Sequence, residues 1–307
     1  MTEIPALLVK ELRKKTGSGM MDCKKALVAS GADFEKAVDW LRKNGLSVAT
    51  RKVGRVTTDG LVAVSSDGKN GALVEINAET DFVARNEQFQ GFVKLISDLV
   101  LKVGDDMATL KTAVTTGGKT IDEELTTMIA TLGENINFRR AKCLSVSQGV
   151  VANYMHNAIA PGLGKIGVLV SLESSGNVVK LTEIGKQIAM HVAASNPLFL
   201  SIKSIDDVAL NRERTIIAEQ VAKSGKPPNV IEKMIEGRIR KYYEEVVLLE
   251  QIFVVDGSTK ISKVIENTSE ILGAPIKLSG FVRYVLGDGI EKEHKDFATE
   301  VAAQLVR

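Results

Sequence analysis

The chain has 307 residues, of which 44% are apolar and 25% are charged, and this composition is ordinary for a soluble globular protein. A chain of this length predicts two or three domains with cores of their own. Its 40 basic and 38 acidic residues give a net charge of only +2, which argues against nucleic-acid binding as the main role. The net charge does not exclude a local basic patch. The sequence has neither an apolar run of about 18 residues nor a signal-peptide pattern, so we expect a cytoplasmic protein that does not bind a membrane.

Residues 1–45 predict a small domain of three short helices. Apolar residues repeat at helical spacing in three segments, which are separated by glycine-containing breaks, and the third segment ends at the C-cap pair Asn44-Gly45. Adjacent side chains on a helix point in different directions, so Met20 and Met21 cannot both face the core. We expect one of them to pack inward and the other to be available to a partner.

Residues 46–59 show no regular spacing of apolar residues, and we predict a linker there. The core that follows contains the same order of elements twice. Each time a β-hairpin is followed by a helix. The predicted elements are strands at Gly60–Val64 and Gly71–Ile76, a helix from Asp81, strands at Val150–Tyr154 and Ile166–Leu172, and a helix at Lys180–Ala194. The repetition predicts an α+β fold with two duplicated core subdomains, which are residues 60–148 and residues 149–205 together with 250–286.

Residues 206–249 predict a helical hairpin inserted into the second subdomain. Two stretches with helical spacing flank a turn at residues 223–229, and each arm of about 20 residues extends roughly 30 Å at about 1.5 Å per residue. Such a hairpin is typical of an antiparallel coiled coil. After it, strands are predicted at Ile252–Val255 and Lys277–Leu286, and a C-terminal module, residues 287–307, contains an amphipathic helix at Asp296–Leu305.

One distinctive segment lies between an apolar strand and a helical pattern. Thr80 and Asp81 are both suitable N-cap residues, and they predict a helix start that places Phe82 in its first turn. Phe82 lies about two turns ahead of Phe89, so periodicity alone allows it to be a core residue. The alternative is an apolar side chain held out at a strand–helix junction, where it enters a pocket on a partner.

Two glycine-containing loops match nucleotide-binding patterns but lack the required context. Residues 113–120 fit a relaxed phosphate-loop pattern, and Asp256 resembles the acidic partner of such a loop. A phosphate loop follows a buried strand, however, and residues 107–114 are too polar to form one. Gly162–Gly167 matches the dinucleotide fingerprint in its letters, but a strand pattern follows where a helix is required. We therefore expect ordinary loops at both places.

No constellation of residues predicts catalysis or a metal site. The sequence has no nucleophile elbow and no His-Glu-x-x-His motif, and the three histidines, His156, His191 and His294, lack metal-ligand spacing. The two cysteines, Cys23 and Cys143, are expected to be buried thiols rather than a disulfide. We therefore expect a protein that is not an enzyme and that carries no metal and no cofactor.

Several segments resemble the translation elongation factor Ts family. Thr80-Asp81-Phe82-Val83-Ala84-Arg85-Asn86 is similar to the TDFVA(R/K)N signature of that family. Further segments are similar to its ubiquitin-associated-like N-terminal domain (8–13 and 19–27), its coiled-coil hairpin (224–238) and its C-terminal module (287–292). The resemblance covers nearly the whole chain and implies these modules around the duplicated core.

The resemblance also implies a function. It implies a guanine nucleotide exchange factor that binds elongation factor Tu, in its GDP-bound and nucleotide-free forms, and promotes GDP release. It implies that the Asp-Phe pair enters the partner near its nucleotide and Mg²⁺ site, with no direct nucleic-acid contact and no small-molecule substrate. The residues that it assigns to partner binding are Arg13, Met20, Met21, Thr80, Asp81, Phe82, Val83, Leu132, Gly133 and His156. Two alternatives stay open at this point, a phosphate-loop nucleotide hydrolase or kinase and a passive protein-binding adaptor.

Overall fold

The computed structural model describes residues 4–222 and 226–291, and the chain divides into two compact units. The first unit contains the chain up to Ala63, Val74–Ala141 and the chain from Val285, and the second contains Val64–Leu73 and Lys142–Tyr284. The predicted α+β class is confirmed, whereas the finer division into subdomains stays a prediction. Among the described residues, no helix is long and apolar enough to cross a membrane.

The first unit begins with three helices, α1 (Ala6–Thr16), α2 (Met20–Ala29) and α3 (Phe34–Lys52). They enclose a small apolar core made of Val9, Leu12, Cys23, Ala26, Leu27 and Ala37. Gly17 ends α1 in the left-handed conformation, with φ 72°, and its N–H bonds to the carbonyl of Arg13. Asp33 caps α3 because its side chain accepts the N–H of Lys36.

Two details of the N-terminal prediction are wrong. The third helix does not end at Asn44-Gly45 but continues to Lys52, so the start of the predicted linker is helical. A Cβ built on Gly45 would lie 2.7 Å from the Cβ of Ala130, so glycine at this position allows close packing between two helices rather than a helix end. Met20 and Met21 are both exposed, by 55% and 64%, because Cys23, Ala26 and Leu27 fill the inner face of α2.

A hairpin of β1 (Asp59–Ser66) and β2 (Asn70–Ala78) follows, as predicted. Its turn is closed by Asp67, whose Oδ1 accepts the N–H groups of Lys69 and Asn70. Beyond β2 lie α4 (Asp81–Ala84), α5 (Glu87–Val103), α6 (Met107–Thr112), α7 (Ile121–Leu132) and β3 (Ile136–Ser145). The prediction of one continuous helix from Asp81 is wrong, since Arg85 and Asn86 interrupt it. β3, which was not predicted, pairs with β2.

A buried carboxylate connects the sheet to the C-terminal segment of the first unit. Glu75 on β2 is fully buried and accepts hydrogen bonds from Arg139, Arg140 and the N–H of Gly287. Burial alone raises the pKa of Glu75, but these donors together with the amide of Asn77 hold that pKa below its usual value of 4.5. Glu75 therefore stays ionised at neutral pH and attaches Gly287 to the sheet, while Arg139 and Arg140 donate to the carbonyls of Asp288 and Val285.

The second unit contains β4 (Gly149–His156), β5 (Leu163–Gly164), β6 (Ile166–Glu173) and α8 (Val178–Ser195). β4 and β6 are antiparallel, with a register that runs from Gly149 opposite Glu173 to His156 opposite Ile166. The β4, β6 and α8 elements confirm the predicted hairpin and helix. The short β5 pairs with β1 beyond Ala63, where the N–H of Val64 bonds to the carbonyl of Gly162, and completes the sheet order β3-β2-β1-β5.

The rest of the second unit is a helical hairpin followed by a helix and a strand. α9 (Asp207–Ala222) and α10 (Pro228–Val246) pack together through Ile217, Val221 and Ile239, as the predicted helical hairpin requires. α11 (Ile261–Leu272), which was not predicted, precedes β7 (Lys277–Val285), and β7 gives the second sheet the order β4-β6-β7. The helix predicted at Asp296–Leu305 lies outside the described residues.

The predicted strand at Ile252–Val255 is wrong. Only Ile252 makes a single bridge, to Lys260, and the chain then turns. Oδ1 of Asp256 accepts the N–H groups of Ser258 and Thr259, which closes the turn before α11. The apolar, β-branched residues before Asp256 therefore form a loop that packs one side chain, Phe253, inward.

Candidate functional site

The short helix α4 carries an exposed aromatic side chain at the junction between β2 and α5. Phe82 is 77% exposed, whereas its neighbours Val83 and Ala84 are 6% and 4% exposed. The interpretation of Phe82 as a core residue is therefore wrong for this structure. Val83 is buried and fixes the inner face of α4, and its expected contact with a partner stays a prediction. We call the segment Thr80–Ala84 the tip.

The C-terminal end of the tip is fixed by two polar side chains. Asn86 is the N-cap of α5, and its Oδ1 accepts the N–H groups of Gln88 and Phe89 at 2.9 and 3.1 Å. Nε2 of Gln90 donates to the carbonyl of Ala84 at 2.9 Å, which satisfies a carbonyl that the end of α4 leaves unpaired. The chain therefore ends one helix and begins another within two residues, and this break turns Phe82 away from the face that Phe89 buries.

Thr80 occupies the N-cap position of α4, as predicted, but its side chain makes no bond to that helix. Its hydroxyl donates to Oε1 of Glu134 at 2.6 Å, and its N–H donates to Oε2 of the same carboxylate at 2.9 Å. The N-terminal end of the tip is therefore held by a residue 54 positions later in the chain. Glu134 was not predicted, because no local sequence pattern connects it with Thr80.

Asp81 lies beside Phe82 on the exposed side of the tip. Its carboxylate is half exposed and forms an ion pair with Nη2 of Arg85 at 3.9 Å, one helical turn later. An exposed pair at this distance contributes little to stability. Both groups are thus available to polar or charged groups of another molecule.

Leu132 and Gly133 end α7 directly before Glu134. Leu132 is half-buried, and Gly133 adopts φ 74°, with its N–H bonded to the carbonyl of Ile129. This is the C-cap conformation that favours glycine. The structure therefore brings the predicted pair Leu132-Gly133 next to the carboxylate that holds the tip.

The predicted N-terminal residues surround a turn that lies near the same region. Arg13 is exposed in the last turn of α1, and Met20 and Met21 are exposed at the start of α2. The intervening Gly17 packs closely, since a Cβ built on it would lie 3.0 Å from Cγ2 of Thr131 and 3.1 Å from Nε2 of Gln88. The turn between α1 and α2 thus contacts residues that flank both the tip and the end of α7.

His156 belongs to the second unit and ends β4. Its imidazole is exposed, and its Nδ1 lies 3.1 Å from the hydroxyl of Tyr154. Asn157 follows with φ 52°, so the chain turns sharply after the histidine. Its expected place beside Leu132 and Gly133 stays a prediction.

The two loops that match nucleotide-binding patterns have other structures. Residues 113–120 form a tight turn after α6, in which the N–H of Thr115 bonds to the carbonyl of Lys119, and Thr120 then caps α7. Gly162–Gly167 leads into strand β6 rather than a helix. Neither place has the strand–loop–helix geometry that cradles phosphates, as predicted. Among residues 4–222 and 226–291, no group of three His, Cys, Asp or Glu side chains is arranged to hold a metal ion.

Comparison with known proteins gives a consistent result. A profile of the family described as Elongation factor TS matches residues 79–288. A protein named Elongation factor Ts from Paramagnetospirillum magneticum is 61% identical over 305 residues, which cover 99% of this chain and 98% of that protein. Proteins of the same name from Rhodospirillum centenum and Gluconobacter oxydans are 60% and 55% identical, and the matches cover 99% of this chain and 99% and 98% of those proteins.

Proposed function

The chain belongs to the elongation factor Ts family, and we propose that it acts on elongation factor Tu through the tip that carries Phe82. It is a guanine nucleotide exchange factor that promotes GDP release during translation elongation. The single observation that supports the assignment to the tip is the 77% exposure of Phe82 on a helix whose two ends are fixed by hydrogen bonds.

Exchange requires no covalent chemistry from this chain. If the chain binds nucleotide-free elongation factor Tu more tightly than the GDP-bound form, it must weaken GDP binding by the same factor, because the two equilibria are linked. The chain itself then needs no cofactor, metal ion or small-molecule substrate. We accordingly infer that it is not an enzyme and that it acts in the cytoplasm, without a nucleic-acid or membrane partner.

Phe82 and Asp81 would supply the difference in affinity between the two forms. An exposed phenylalanine loses its contact with water when it enters an apolar pocket, and such buried aromatics dominate binding at many interfaces. The carboxylate of Asp81 would reach polar groups of the partner at the same place and would compete with the ligands of a bound nucleotide. We infer that this pair stabilises the nucleotide-free form because the GDP-bound form leaves less room for it.

A second contact area would come from the N-terminal helices. Met20 and Met21 are two adjacent exposed methionines, and flexible thioether side chains adapt well to a binding surface. Arg13, in the last turn of α1, adds an exposed positive charge. Because Gly17 packs against residues that flank the tip, we propose that these side chains bind the same partner as Phe82.

The order of elements supports the finer division of the fold. In each sheet a hairpin is followed by helices and then by a third strand that pairs with the second strand of the hairpin, giving β1-β2-β3 and β4-β6-β7. We interpret this as a duplication of one α+β subdomain, with the α1–α3 domain before it and the α9–α10 hairpin inserted in the second copy. A ubiquitin-associated-like N-terminal domain and a coiled-coil hairpin are the modules that the family resemblance implies.

The assignment is tested by measuring release of a fluorescent GDP analogue from elongation factor Tu after rapid mixing with the full chain. Release should accelerate with the concentration of the chain and saturate when the complex is fully formed. A passive adaptor would bind elongation factor Tu in calorimetry without accelerating release, and this outcome would contradict the proposal. Hydrolysis of GTP or ATP by the isolated chain would favour the nucleotide hydrolase instead.

A further inference from the structure

We propose that Glu134 is a positioning residue for nucleotide exchange, because its carboxylate holds Thr80 and thereby fixes the direction in which Phe82 leaves the fold. The inference rests on the role proposed above for Phe82. Glu134 itself would not need to touch the partner. It would act through the tip.

The carboxylate of Glu134 is fully engaged by one residue. Oε2 accepts the backbone N–H of Thr80 at 2.9 Å, and Oε1 accepts its hydroxyl at 2.6 Å. Hydrogen bonds to an ionised acceptor are shorter and stronger than neutral ones, and two of them fix the orientation as well as the distance. Thr80 is thus held at its main chain and its side chain, one residue before α4 begins.

A second carboxylate, that of Glu79, makes the reverse contact between the same two segments of the chain. Oε1 of Glu79 accepts the N–H of Asn135 at 2.6 Å, and its Oε2 lies 3.3 Å from Nη1 of Arg55. Nδ2 of Asn135 donates in turn to the carbonyl of Arg55 at 2.8 Å. The neighbouring residues Glu79-Thr80 and Glu134-Asn135 therefore bind each other reciprocally, and we call these bonds the carboxylate clamp.

The tip needs such a clamp because little else fixes its start. α4 has only four residues, and an isolated helix of that length is unstable in water. Phe82 is exposed and so gains no packing of its own, while Val83 and Ala84 fix only the inner face. A side chain that is already held in its binding direction loses less conformational freedom on association. The clamp would therefore increase the coupling between binding and GDP release.

Two pairs of variants separate this role from general stability. Glu134→Gln keeps the shape but loses the charge, and its matched control is Asp122→Asn, an exposed carboxylate at the other end of α7. Thr80→Val removes the hydroxyl while it keeps the branched shape, and Thr80→Ser restores the hydroxyl. We expect Glu134→Gln and Thr80→Val to lower the maximal rate of GDP release at saturating concentration by about tenfold, the effect of losing roughly one charge-assisted hydrogen bond. Thr80→Ser should recover most of the rate that Thr80→Val loses, and Asp122→Asn should release GDP at nearly the normal rate.

The decisive readout is the effect of Glu134→Gln in a Phe82→Ala background. If the clamp acts through Phe82, the second substitution should change the release rate by less than about twofold there, because coupled residues are not additive. A normal rate for Glu134→Gln beside a slow Phe82→Ala would overturn the clamp alone. A further loss of about tenfold in the release rate when Glu134→Gln is added to Phe82→Ala would also overturn the proposed role of the clamp. A normal rate for Phe82→Ala would overturn the proposed role of the tip and the clamp with it. If Glu134→Gln also lowers the melting temperature, the Thr80→Val and Thr80→Ser pair decides, since neither changes a charge.

Discussion

Truncation of Phe82 to alanine should slow GDP release from elongation factor Tu without destabilising the chain. Burying a whole phenylalanine side chain is worth about 1.5–3 kcal/mol. Because 77% of Phe82 is exposed, most of that free energy is still available to a partner. The loss should therefore be about 2 kcal/mol, which corresponds to roughly 30-fold in the coupling between the two binding events. The assay is release of fluorescent GDP at saturating chain concentration, together with a thermal melt of the same sample.

Phe89 provides the matched control, seven residues later and fully buried in α5. Phe89→Ala should lower the free energy of unfolding by about 3–5 kcal/mol, as expected for a buried phenylalanine. Its GDP release per folded molecule should stay close to normal. If Phe82→Ala instead lowers the melting temperature as strongly as Phe89→Ala while exchange per folded molecule is normal, the tip is a structural element and Phe82 does not drive GDP release.

Three further predictions concern the rest of the chain. Lys119 lies in a tight turn rather than a phosphate loop, so calorimetry should detect no saturable binding of GTP or ATP to the isolated chain. Saturable binding that is lost in Lys119→Ala would contradict this prediction. The outer part of the helical hairpin has its own apolar contacts, so replacement of residues 210–242 by a short Gly-Ser linker should leave the main cooperative unfolding transition nearly unchanged, and a large drop in melting temperature would contradict this. His191 is fully buried, and burial lowers its pKa below the usual 6.5, although the hydrogen bond that its Nε2 donates to Oε1 of Gln251 acts in the opposite direction. The folded state therefore disfavours the charged imidazole, so stability should be full above pH 6.5 and fall as the pH drops below it, by at most about 1.4 kcal/mol per pH unit. Urea midpoints from pH 7.5 to 5.5 test this prediction, and a flat profile that His191→Gln does not change would contradict it.

The strands and helices with a strong periodic pattern were predictable from the sequence. β1, β2, β4 and β6 are apolar runs between turn residues, and α8 has a regular helical repeat. The ends of the helices were harder to predict, because they depend on tertiary contacts. The pair Asn44-Gly45 predicts a helix end, but α3 continues through it. Glycine is needed inside the helix because Ala130 packs closely against this position.

The apolar run before Asp256 shows the opposite error. Its β-branched residues favour a strand, yet the side chain of Asp256 bonds to two N–H groups ahead of it and turns the chain before a strand can pair. Local propensity was overridden by local hydrogen bonding. The helix α11 that follows was not predicted, since only strands were assigned to the chain between the hairpin and the C-terminal module.

The candidate site was predictable in part. The residues Asp81 and Phe82 came from a family signature, and the exposure of Phe82 excludes the core interpretation, whereas its entry into a partner stays a prediction. The role of Thr80 as a donor to Glu134 was not predictable, because contacts between residues 54 positions apart leave no local pattern. The side chains at the tip therefore carry a recognisable local pattern, whereas the residues that hold the tip do not.

The most direct test of the central claim is to compare the affinity of the chain for elongation factor Tu in its nucleotide-free and GDP-bound forms. We predict clearly tighter binding to the nucleotide-free form, by the same factor by which saturating chain weakens GDP binding to elongation factor Tu. Equal affinity for the two forms would contradict the account, since a ligand that does not distinguish two states cannot shift the equilibrium between them.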